Sequence, residues 1–227
     1  MTRRSGHTDA QAVRRTARGG DEVSPASPTY SDRVEEILAT ATRLFHQHGY
    51  RGVGIRMIAD TVGIQPSSRY HHFSSKEEIL YRIALRATTE FIDTHIALLH
   101  PDADAAATIR TIVRHHVSYF DRNRLAQQVA ERELRELAPD HYDEVRGRQR
   151  EYLDELTEVV ARGSERGELE VENPVIATRA FLDMLNYFNR WFDPRGLVGT
   201  EELGDLYADM IVEGLLGARD AGGRSGP

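Results

Sequence analysis

Apolar residues recur at helical spacing along most of this chain, and no stretch alternates with the period of a strand. The first stripe begins near Ser31, a good N-cap, and ends at Gly49 after Val34, Ile37, Leu38, Ala41, Leu44 and Phe45. A second stripe stops before Gly63, where a left-handed residue commonly closes a helix, and consists of Ile55, Ile58, Ala59 and Val62. Pro66 suits the first turn of a third helix, because its missing N–H would have no partner there. We predict an all-α chain of about nine helices.

The same spacing predicts six helices after the third. The fourth opens at Ser75, which has capping-box spacing to Glu78, and continues to about Leu99, just before Pro101. Five more are predicted at about 104–120, 122–137, 141–166, 174–192 and from Thr200 onward. Apolar residues of the 174–192 helix occupy more than one face, so we expect this helix to be covered on several sides.

The third helix, from about Pro66 to His72, presents mostly polar side chains. Hydrogen-bonding groups are crowded on it and just before it, namely Gln65, Ser67, Ser68, Arg69, Tyr70 and His71. A short helix with such groups, after a turn that contains glycine, is typical of a helix-turn-helix, whose second helix enters the major groove of DNA. The first three helices therefore predict a DNA-binding unit.

Charge is distributed unevenly along the 227 residues. The net charge is −7, but residues 1–86 carry 13 basic against 9 acidic side chains, a net of +4, whereas residues 87–227 carry 16 against 27, a net of −11. Only the front of the chain is therefore expected to meet an anionic polymer. Residues 1–28 contain almost no large apolar side chain and are predicted to form a disordered basic tail, whose arginines either follow DNA phosphates or are simply solvated.

Composition and motifs argue against several other functions. The chain has no cysteine, which excludes disulfides, thiol catalysis and cysteine-ligated zinc. The histidine pairs His71-His72 and His115-His116 point to different sides of their helices, so no metal site is predicted. Serine-nucleophile, phosphate-loop and dinucleotide motifs are missing, so we predict no catalytic residue, no enzyme and no cofactor. With no apolar run long enough for a bilayer and no signal-peptide core at the start, we expect a cytoplasmic protein that does not contact a membrane.

One ordered set of residues resembles the signature of the tetracycline-repressor (TetR/AcrR) family of transcriptional regulators. It covers roughly residues 33–80 and comprises Ala41, Leu44-Phe45, Gly49-Tyr50, Ile58-Ala59, Gly63-Ile64, Tyr70-His71-His72-Phe73 and Ser75-Lys76-Glu77. Beyond it the chain resembles the family in layout, in which a helical ligand domain follows and the last two helices usually form the dimer interface. The resemblance implies a helix-turn-helix DNA-binding domain at 29–75, a ligand-binding and dimerisation domain at 76–220 and a flexible tail at 221–227.

The resemblance also implies roles for individual residues. Those expected to contact phosphates are Tyr70, His71 and Lys76. Those placed to reach base edges or nearby phosphates are Arg56, Gln65, Ser67 and Ser68. The chemistry agrees with these roles, because arginine can bind guanine through two hydrogen bonds, glutamine prefers adenine, and hydroxyls and helix N-termini hold phosphates.

Two positions depart from the family pattern. Members usually carry Ser or Thr where this chain has Gly54, at the cap of the second helix, and that hydroxyl touches a phosphate. Glycine is tolerated as a cap at a cost of about a few tenths of a kcal/mol. The residue before Tyr70 is usually apolar, whereas here it is Arg69, which either extends past the core to water or adds a DNA contact. Both departures leave the operator sequence open, but not the fold.

Candidate effector and dimer residues come from the helices predicted after the DNA-binding unit. The predicted ligand pocket comprises Arg114, His115, His116, Tyr119, Met184, Tyr187 and Phe188. The predicted dimer interface comprises Phe181, Phe188, Trp191, Tyr207, Met210 and Ile211. Each set has a plainer interpretation. The polar residues would then lie on the helix surface or be buried with hydrogen-bond partners, and the aromatic residues would simply pack in the core.

Together these features predict a ligand-responsive regulator that binds a palindromic DNA operator as a homodimer. The simplest form is a repressor released by a small hydrophobic or acyl-CoA-like effector that binds between the fourth and eighth predicted helices. The acyl-CoA class is indicated by Trp191 to Leu197, which resembles a branch of the family that senses such thioesters. Two alternatives stay open: a transcriptional activator, and a helical interaction protein whose helix-turn-helix no longer reads DNA, which Gly54 and Arg69 support.

Overall fold

The computed structural model describes residues 30–63, 73–100 and 102–217, and these ranges contain no strand. Eight α-helices follow one another in them: α1 (Tyr30–Gly52), α2 (Ile55–Val62), α3 (Lys76–Ile96), α4 (Ala105–Arg122), α5 (Arg124–Arg132), α6 (Pro139–Glu165), α7 (Pro174–Tyr187) and α8 (Thr200–Asp209). Short 3-10 turns follow α5 at Leu134–Glu136 and α7 at Phe188–Arg190, and a π-helical segment continues α8 at Met210–Leu215. The prediction of an all-α fold is confirmed.

Several helix ends follow the local chemistry that the sequence indicates. Gly49 interrupts α1 with a φ of 70°, and Gly63 closes α2 with a φ of 73°, in the left-handed region that favours glycine. At the start of α3 the Ser75 side chain accepts a hydrogen bond from the Glu78 backbone N–H at 3.0 Å. The predicted third helix and the predicted tails at 1–28 and 221–227 lie outside the described residues.

Two predicted helix ends differ from the structure. The α6 helix begins at Pro139, which was expected to precede it, because a proline in the first turn loses no intrahelical hydrogen bond. The α7 helix ends at Tyr187 rather than near Phe192. Beyond Tyr187 the chain tightens into a 3-10 turn, where side chains of α5 replace helical partners: Gln128 Nε2 donates to the Asn189 carbonyl at 3.1 Å.

The helices enclose two hydrophobic cores. The first core joins α1, α2 and the first half of α3 to α5 and the start of α6, through Ile37, Ala41, Phe45, Val53, Ile58, Val62, Phe73, Ile79, Leu80, Ile83, Ala84, Ala87, Val129, Ala130, Leu137 and Val145. The second core begins with Phe91 and Ile92 on the second half of α3 and continues through α4, α6, α7 and α8 to Leu216. Because α3 runs through both cores, it connects the predicted DNA-binding unit to the rest of the chain; the predicted domain boundaries stay predictions.

Close helix contacts hold the second core together. The α4 helix packs against α8, and α6 packs against α7. Gly163 on α6 allows the tightest approach, because a Cβ there would lie 2.5 Å from Ala105 Cβ and 2.8 Å from Leu169 Cδ1. Among the helices of the described ranges, none has both the length and the apolar character needed to cross a membrane.

Candidate nucleic-acid interface and ligand cavity

The α2 helix presents one of the predicted DNA-binding residues on its first turn. Arg56 is exposed there, two residues after Gly54, whose extended backbone (φ −94°, ψ 152°) occupies the N-cap position. Within the described ranges, no side chain caps this helix, and no atom lies within 4 Å of a Cβ built at Gly54. The N-terminal N–H groups of α2 are thus left open to an external acceptor such as a phosphate.

The predicted recognition segment itself falls between two described positions. Gly63 closes α2 with left-handed backbone, and Phe73, which is buried in the first core, precedes α3. Six of the eight predicted DNA contacts lie outside the described residues: Gln65, Ser67, Ser68, Arg69, Tyr70 and His71.

Lys76, the predicted phosphate ligand at the start of α3, is already engaged. Its Nζ donates to the Tyr50 carbonyl at 2.8 Å and lies 3.8 Å from the centroid of the Tyr50 ring. Partial burial lowers the pKa of Lys76, while Glu136 and Glu133 act in the opposite direction. An ammonium group has three donors, so Lys76 ties α3 to the end of α1 and still has donors for a phosphate.

The first and second cores are linked through α5. Arg132 Nη2 donates to the Phe45 carbonyl of α1 at 2.5 Å. Gln128 bridges two elements: its Oε1 lies 2.9 Å from His46 Nε2 on α1, and its Nε2 donates to the Asn189 carbonyl that follows α7. A displacement of α5 therefore pulls on α1 directly.

A second link joins the first turns of α3 and α6. Glu77 Oε1 accepts hydrogen bonds from the Ala138 backbone N–H and from His141 Nδ1, each at 2.9 Å. The Tyr81 ring stacks on His141 with centroids 3.7 Å apart, and its hydroxyl donates to Glu144 at 2.6 Å. That hydrogen bond raises the pKa of Tyr81 to about 12. The N-terminus of α6 is thus fixed to the start of α3, beside Lys76.

A cavity of about 510 Å³ lies between α3, α4, α5, α6 and α7. Apolar and aromatic side chains line much of it, including Phe91, Ile92, Phe120, Leu134, Leu153 and Leu182. Its volume is in the range of small-molecule sites. The predicted location between the fourth and eighth helices corresponds to α3 and α7, which both line this cavity.

Three arginines also line the cavity: Arg146, Arg150 and Arg179, all at exposed positions. Arg146 donates to Gln149 at 2.7 Å. Within the described ranges, no carboxylate lies within salt-bridge distance of Arg150 or Arg179. Two acidic residues share the lining, Glu131, which pairs with Arg190 at 3.4 Å, and Asp183. The cavity mouth therefore combines cationic groups that are free to bind an anion with an apolar interior.

Two polar side chains of the lining are fully enclosed. Both ring nitrogens of His116 and the hydroxyl of Tyr152 are buried and have no hydrogen-bond partner among the described residues. Burial lowers the pKa of His116 well below its usual value and raises that of Tyr152, so both are neutral near pH 7. Their rings meet Phe91 edge to face, with centroids 4.8 and 5.6 Å away.

The structure separates the predicted pocket residues. His116 lines the cavity, and Tyr119 is buried against Phe91. Arg114 pairs with Asp205 of α8 at 2.6 Å, while His115 Nδ1 lies 3.2 Å from His95 Nε2. The cavity lining does not include the other predicted positions, Met184, Tyr187 and Phe188.

Sequence reasoning did not name Phe91, Tyr152 or the three arginines. The arginines of α6 and α7 look like a solvated helix face, and only the path of α6 beside α3 turns that face toward the cavity. Tyr152 belongs to an apolar stripe of α6, where spacing alone does not distinguish lining from core.

The predicted dimer residues divide by exposure. Trp191 and Met210 are exposed by 57% and 59% and can reach a partner. The other four are buried within this chain: Phe181, Phe188, Tyr207 and Ile211. In the described ranges no cluster of three or more His, Asp or Glu side chains is arranged to hold a metal ion.

Within the described ranges, α1, α2 and the first half of α3 share one core, and a cavity lies behind them; this layout is typical of a ligand-responsive helix-turn-helix regulator. The profile of bacterial regulatory proteins of the tetR family matches residues 37–83, and that of the tetracyclin repressor-like C-terminal domain matches residues 102–215. The chain belongs to the TetR family of transcriptional regulators and is not an enzyme.

Individual relatives agree with this assignment over most of the chain. The transcriptional repressor KstR2 of Rhodococcus jostii strain RHA1 is 28% identical over 190 residues, which cover 82% of this chain and 92% of that protein. The crystal structure of PfmR from Thermus thermophilus is 32% identical, with a TM-score of 0.73 over 79% of this chain and 98% of that one. AibR in complex with isovaleryl coenzyme A and operator DNA is 25% identical, with a TM-score of 0.71 over 82% of this chain and 100% of that one.

Proposed function

We propose that this regulator is a cytoplasmic homodimeric repressor that binds a palindromic operator and leaves it when an acyl-CoA thioester occupies the cavity. The observation that carries the proposal is that one helix, α5, serves both sites. Gln127 on α5 lines the cavity and donates to the Ala87 carbonyl of α3 at 3.0 Å, while Gln128 and Arg132 of the same helix hold α1. A ligand that shifts α5 therefore moves the DNA-binding unit.

Release of DNA requires that the effector prefer the arrangement that does not fit the operator. Two links carry a displacement of the cavity walls to the first core: α5 contacts α1, and the start of α6 is fixed to Glu77 and Tyr81 of α3. Both α5 and α6 line the cavity, so a bound ligand bears on both links.

The effector class follows from the lining and from one neighbour. The interior is apolar and suits an acyl chain, whereas the unpaired Arg150 and Arg179 at the mouth suit the phosphates of coenzyme A. AibR, with the same fold and 25% identity, has been crystallised with isovaleryl coenzyme A.

The second protomer is proposed to dock on α7 and α8. Apolar side chains are exposed along these helices and the segment between them, including Ile176 (61%), Tyr187 (60%), Trp191 (57%), Leu206 (47%) and Met210 (59%). Large apolar side chains exposed in this number along two successive helices favour an interface. A two-fold dimer presents two recognition helices to half-sites about 34–36 Å apart, which corresponds to a palindrome.

A mobility-shift titration with the DNA upstream of its own gene tests the DNA-binding part. We expect a shift at low salt, and about tenfold weaker binding with a shallower salt dependence for Arg56→Gln. Arg122→Gln, which removes the same charge from an exposed position at the end of α4, is the control and should bind like the wild type. Absence of any shift at low salt would favour the alternative of a helical interaction protein, which the uncapped Gly54 supports.

Effector release is tested by adding octanoyl-CoA to the complex. We expect dissociation of the DNA and a rise in the thermal midpoint of the protein, because a ligand that binds the folded state stabilises it. Arg150→Gln should weaken both responses, whereas Arg122→Gln should not. A reporter gene that falls silent on deletion of the regulator would indicate an activator instead of a repressor.

A further inference from the structure

The polar groups at the closed end of the cavity differ from those at its mouth. The arginines of the mouth are at exposed positions, whereas His116 is 0% exposed and Tyr152 is 4% exposed. We propose that the acyl part of the effector carries an uncharged oxygen, a hydroxyl or a ketone, and that Tyr152 and His116 bind it. This inference rests on the proposed function and extends it to the part of the ligand that lies deepest.

The packing of the helices does not by itself require polar side chains at the closed end of the cavity. A buried polar atom without a partner destabilises the folded protein, and a phenylalanine or leucine would fill the same space without this penalty. The neighbouring His95, by contrast, has hydrogen-bond partners for both of its ring nitrogens. Its Nδ1 donates to the Phe91 carbonyl at 2.7 Å, and its Nε2 lies 3.2 Å from His115 Nδ1. His116 and Tyr152 have no such bonds to the described residues, although both border the cavity.

The two groups together select the kind of oxygen. A neutral imidazole has one donor and one acceptor, and a phenol can donate or accept. A hydroxyl can use both functions, and a ketone oxygen can accept from the Tyr152 hydroxyl and from the N–H of His116. A carboxylate fits poorly, because neither side chain is charged and no cation balances it at this depth; burial lowers the pKa of His116 and so keeps the ring neutral.

Three coenzyme A thioesters with the same eight-carbon chain separate these chemistries. They are octanoyl-CoA, ω-hydroxyoctanoyl-CoA and suberyl-CoA, which ends in a carboxylate. With the head group at the mouth, the last carbon is directed into the interior. Calorimetric titration should show that the wild type binds the hydroxylated thioester about threefold to tenfold more tightly than octanoyl-CoA, and suberyl-CoA more weakly than either.

Substitution of the two residues should remove the preference and leave general binding intact. In Tyr152→Phe and His116→Leu we expect the affinity ratio of hydroxylated to plain thioester to fall to about one, with octanoyl-CoA bound within about twofold of the wild type. Tyr142→Phe, the same change ten residues earlier on α6 and away from the lining, should keep the full preference.

The protein without ligand gives a second readout. Because the Tyr152 hydroxyl has no partner to lose among the described residues, Tyr152→Phe should raise the thermal midpoint, by about 2–4 °C for a chain of this size, whereas Tyr142→Phe should leave it nearly unchanged. A clear fall in the midpoint of Tyr152→Phe would mean that the hydroxyl has a structural role, and would overturn the inference.

The outcomes for the two proposals are distinguishable. If the wild type binds octanoyl-CoA and its hydroxylated form equally, or if both variants keep the preference, the polar subsite is wrong while the proposed effector class stands. If none of the three thioesters binds, the effector class is contradicted and the subsite with it.

Discussion

The two cores of this molecule differ in whether their buried polar side chains have hydrogen-bond partners. In and around the first core three buried polar side chains have partners: the Thr40 hydroxyl accepts from Arg43, Gln127 donates to the Ala87 carbonyl, and Glu133 pairs with Arg132. The four fully buried side-chain polar atoms that have no partner in the described ranges belong to His116, Tyr152 and Asn189, which lie by the second core or in the turn after α7. The first core is therefore complete as a scaffold, whereas the second contains a site whose hydrogen bonds a ligand can supply.

Buried histidines extend this comparison to acid stability, where we expect the largest effect. His95 and His116 are buried in the second core, whereas the histidines described around the first core, His46, His48 and His141, are at least partly exposed. Burial lowers the pKa of His95 from 6.5 to about 4, although the hydrogen bond to the Phe91 carbonyl by itself raises this pKa.

The direction of the pH effect follows from proton binding. As the pH falls below 6.5 the unfolded chain protonates His95 before the folded chain does, so the contribution of His95 to the free energy of unfolding falls until about pH 4 and then levels off. This shift corresponds to about 3 kcal/mol. Urea unfolding of the wild type and His95→Gln at several pH values checks it: the variant should lose about 3 kcal/mol less over this interval. His48→Gln, at an exposed position, should follow the wild type, and equal losses in all three proteins would contradict the assignment.

The next prediction concerns packing away from the cavity. If the second core is tightly packed everywhere except at the cavity, an added methyl group elsewhere in it should lower the free energy of unfolding. Gly163→Ala places a Cβ 2.5 Å from Ala105 Cβ, and we expect it to lower the free energy of unfolding by about 1–3 kcal/mol. Gly147→Ala, on the same helix with 3.9 Å to its nearest neighbour, should stabilise the protein by up to about 1 kcal/mol. Denaturant unfolding measures both, and a neutral Gly163→Ala would mean that the whole second core is loosely packed.

The same comparison explains what the sequence could reveal. Helices and caps follow local chemistry, so the end of α2 at Gly63, the start of α3 at Ser75 and the all-α fold can be predicted from the sequence. The cavity depends on how distant helices meet. By sequence Arg150 resembles a solvated residue of α6 and Tyr152 a core residue, and only packing against α3 and α7 brings them to one cavity. Met184 and Phe188, predicted from their side chains, belong to faces of α7 and its turn that do not line the cavity.

A smaller effect is expected where the two cores are connected. Gln128→Met keeps the shape of the side chain but removes its hydrogen bonds to His46 and to the Asn189 carbonyl, so we expect a loss of about 1 kcal/mol in the free energy of unfolding. The informative readout is coupling: octanoyl-CoA should still bind, but should weaken DNA binding less than in the wild type. Gln47→Met, at an exposed position on α1, is the matched control. Unchanged coupling in Gln128→Met would assign transmission to the link between Glu77 and α6.

The smallest effect is expected at the start of α2, where the N-cap residue Gly54 has no side chain to form a capping hydrogen bond. Gly54 has the extended backbone of an N-cap and open space around its Cβ position, so Gly54→Ser can be accommodated without strain. The serine hydroxyl can accept from an N–H of the first turn of α2, and the expected gain in the free energy of unfolding is only about a few tenths of a kcal/mol, because glycine is itself a tolerated cap.

The effect of Gly54→Ser on DNA binding should be larger than this gain, since the new hydroxyl can also donate to a phosphate. A mobility-shift titration should therefore show tighter binding with an unchanged salt dependence, because no charge is added. Weaker binding would mean that the phosphate approaches the α2 N-terminus closely enough to require glycine.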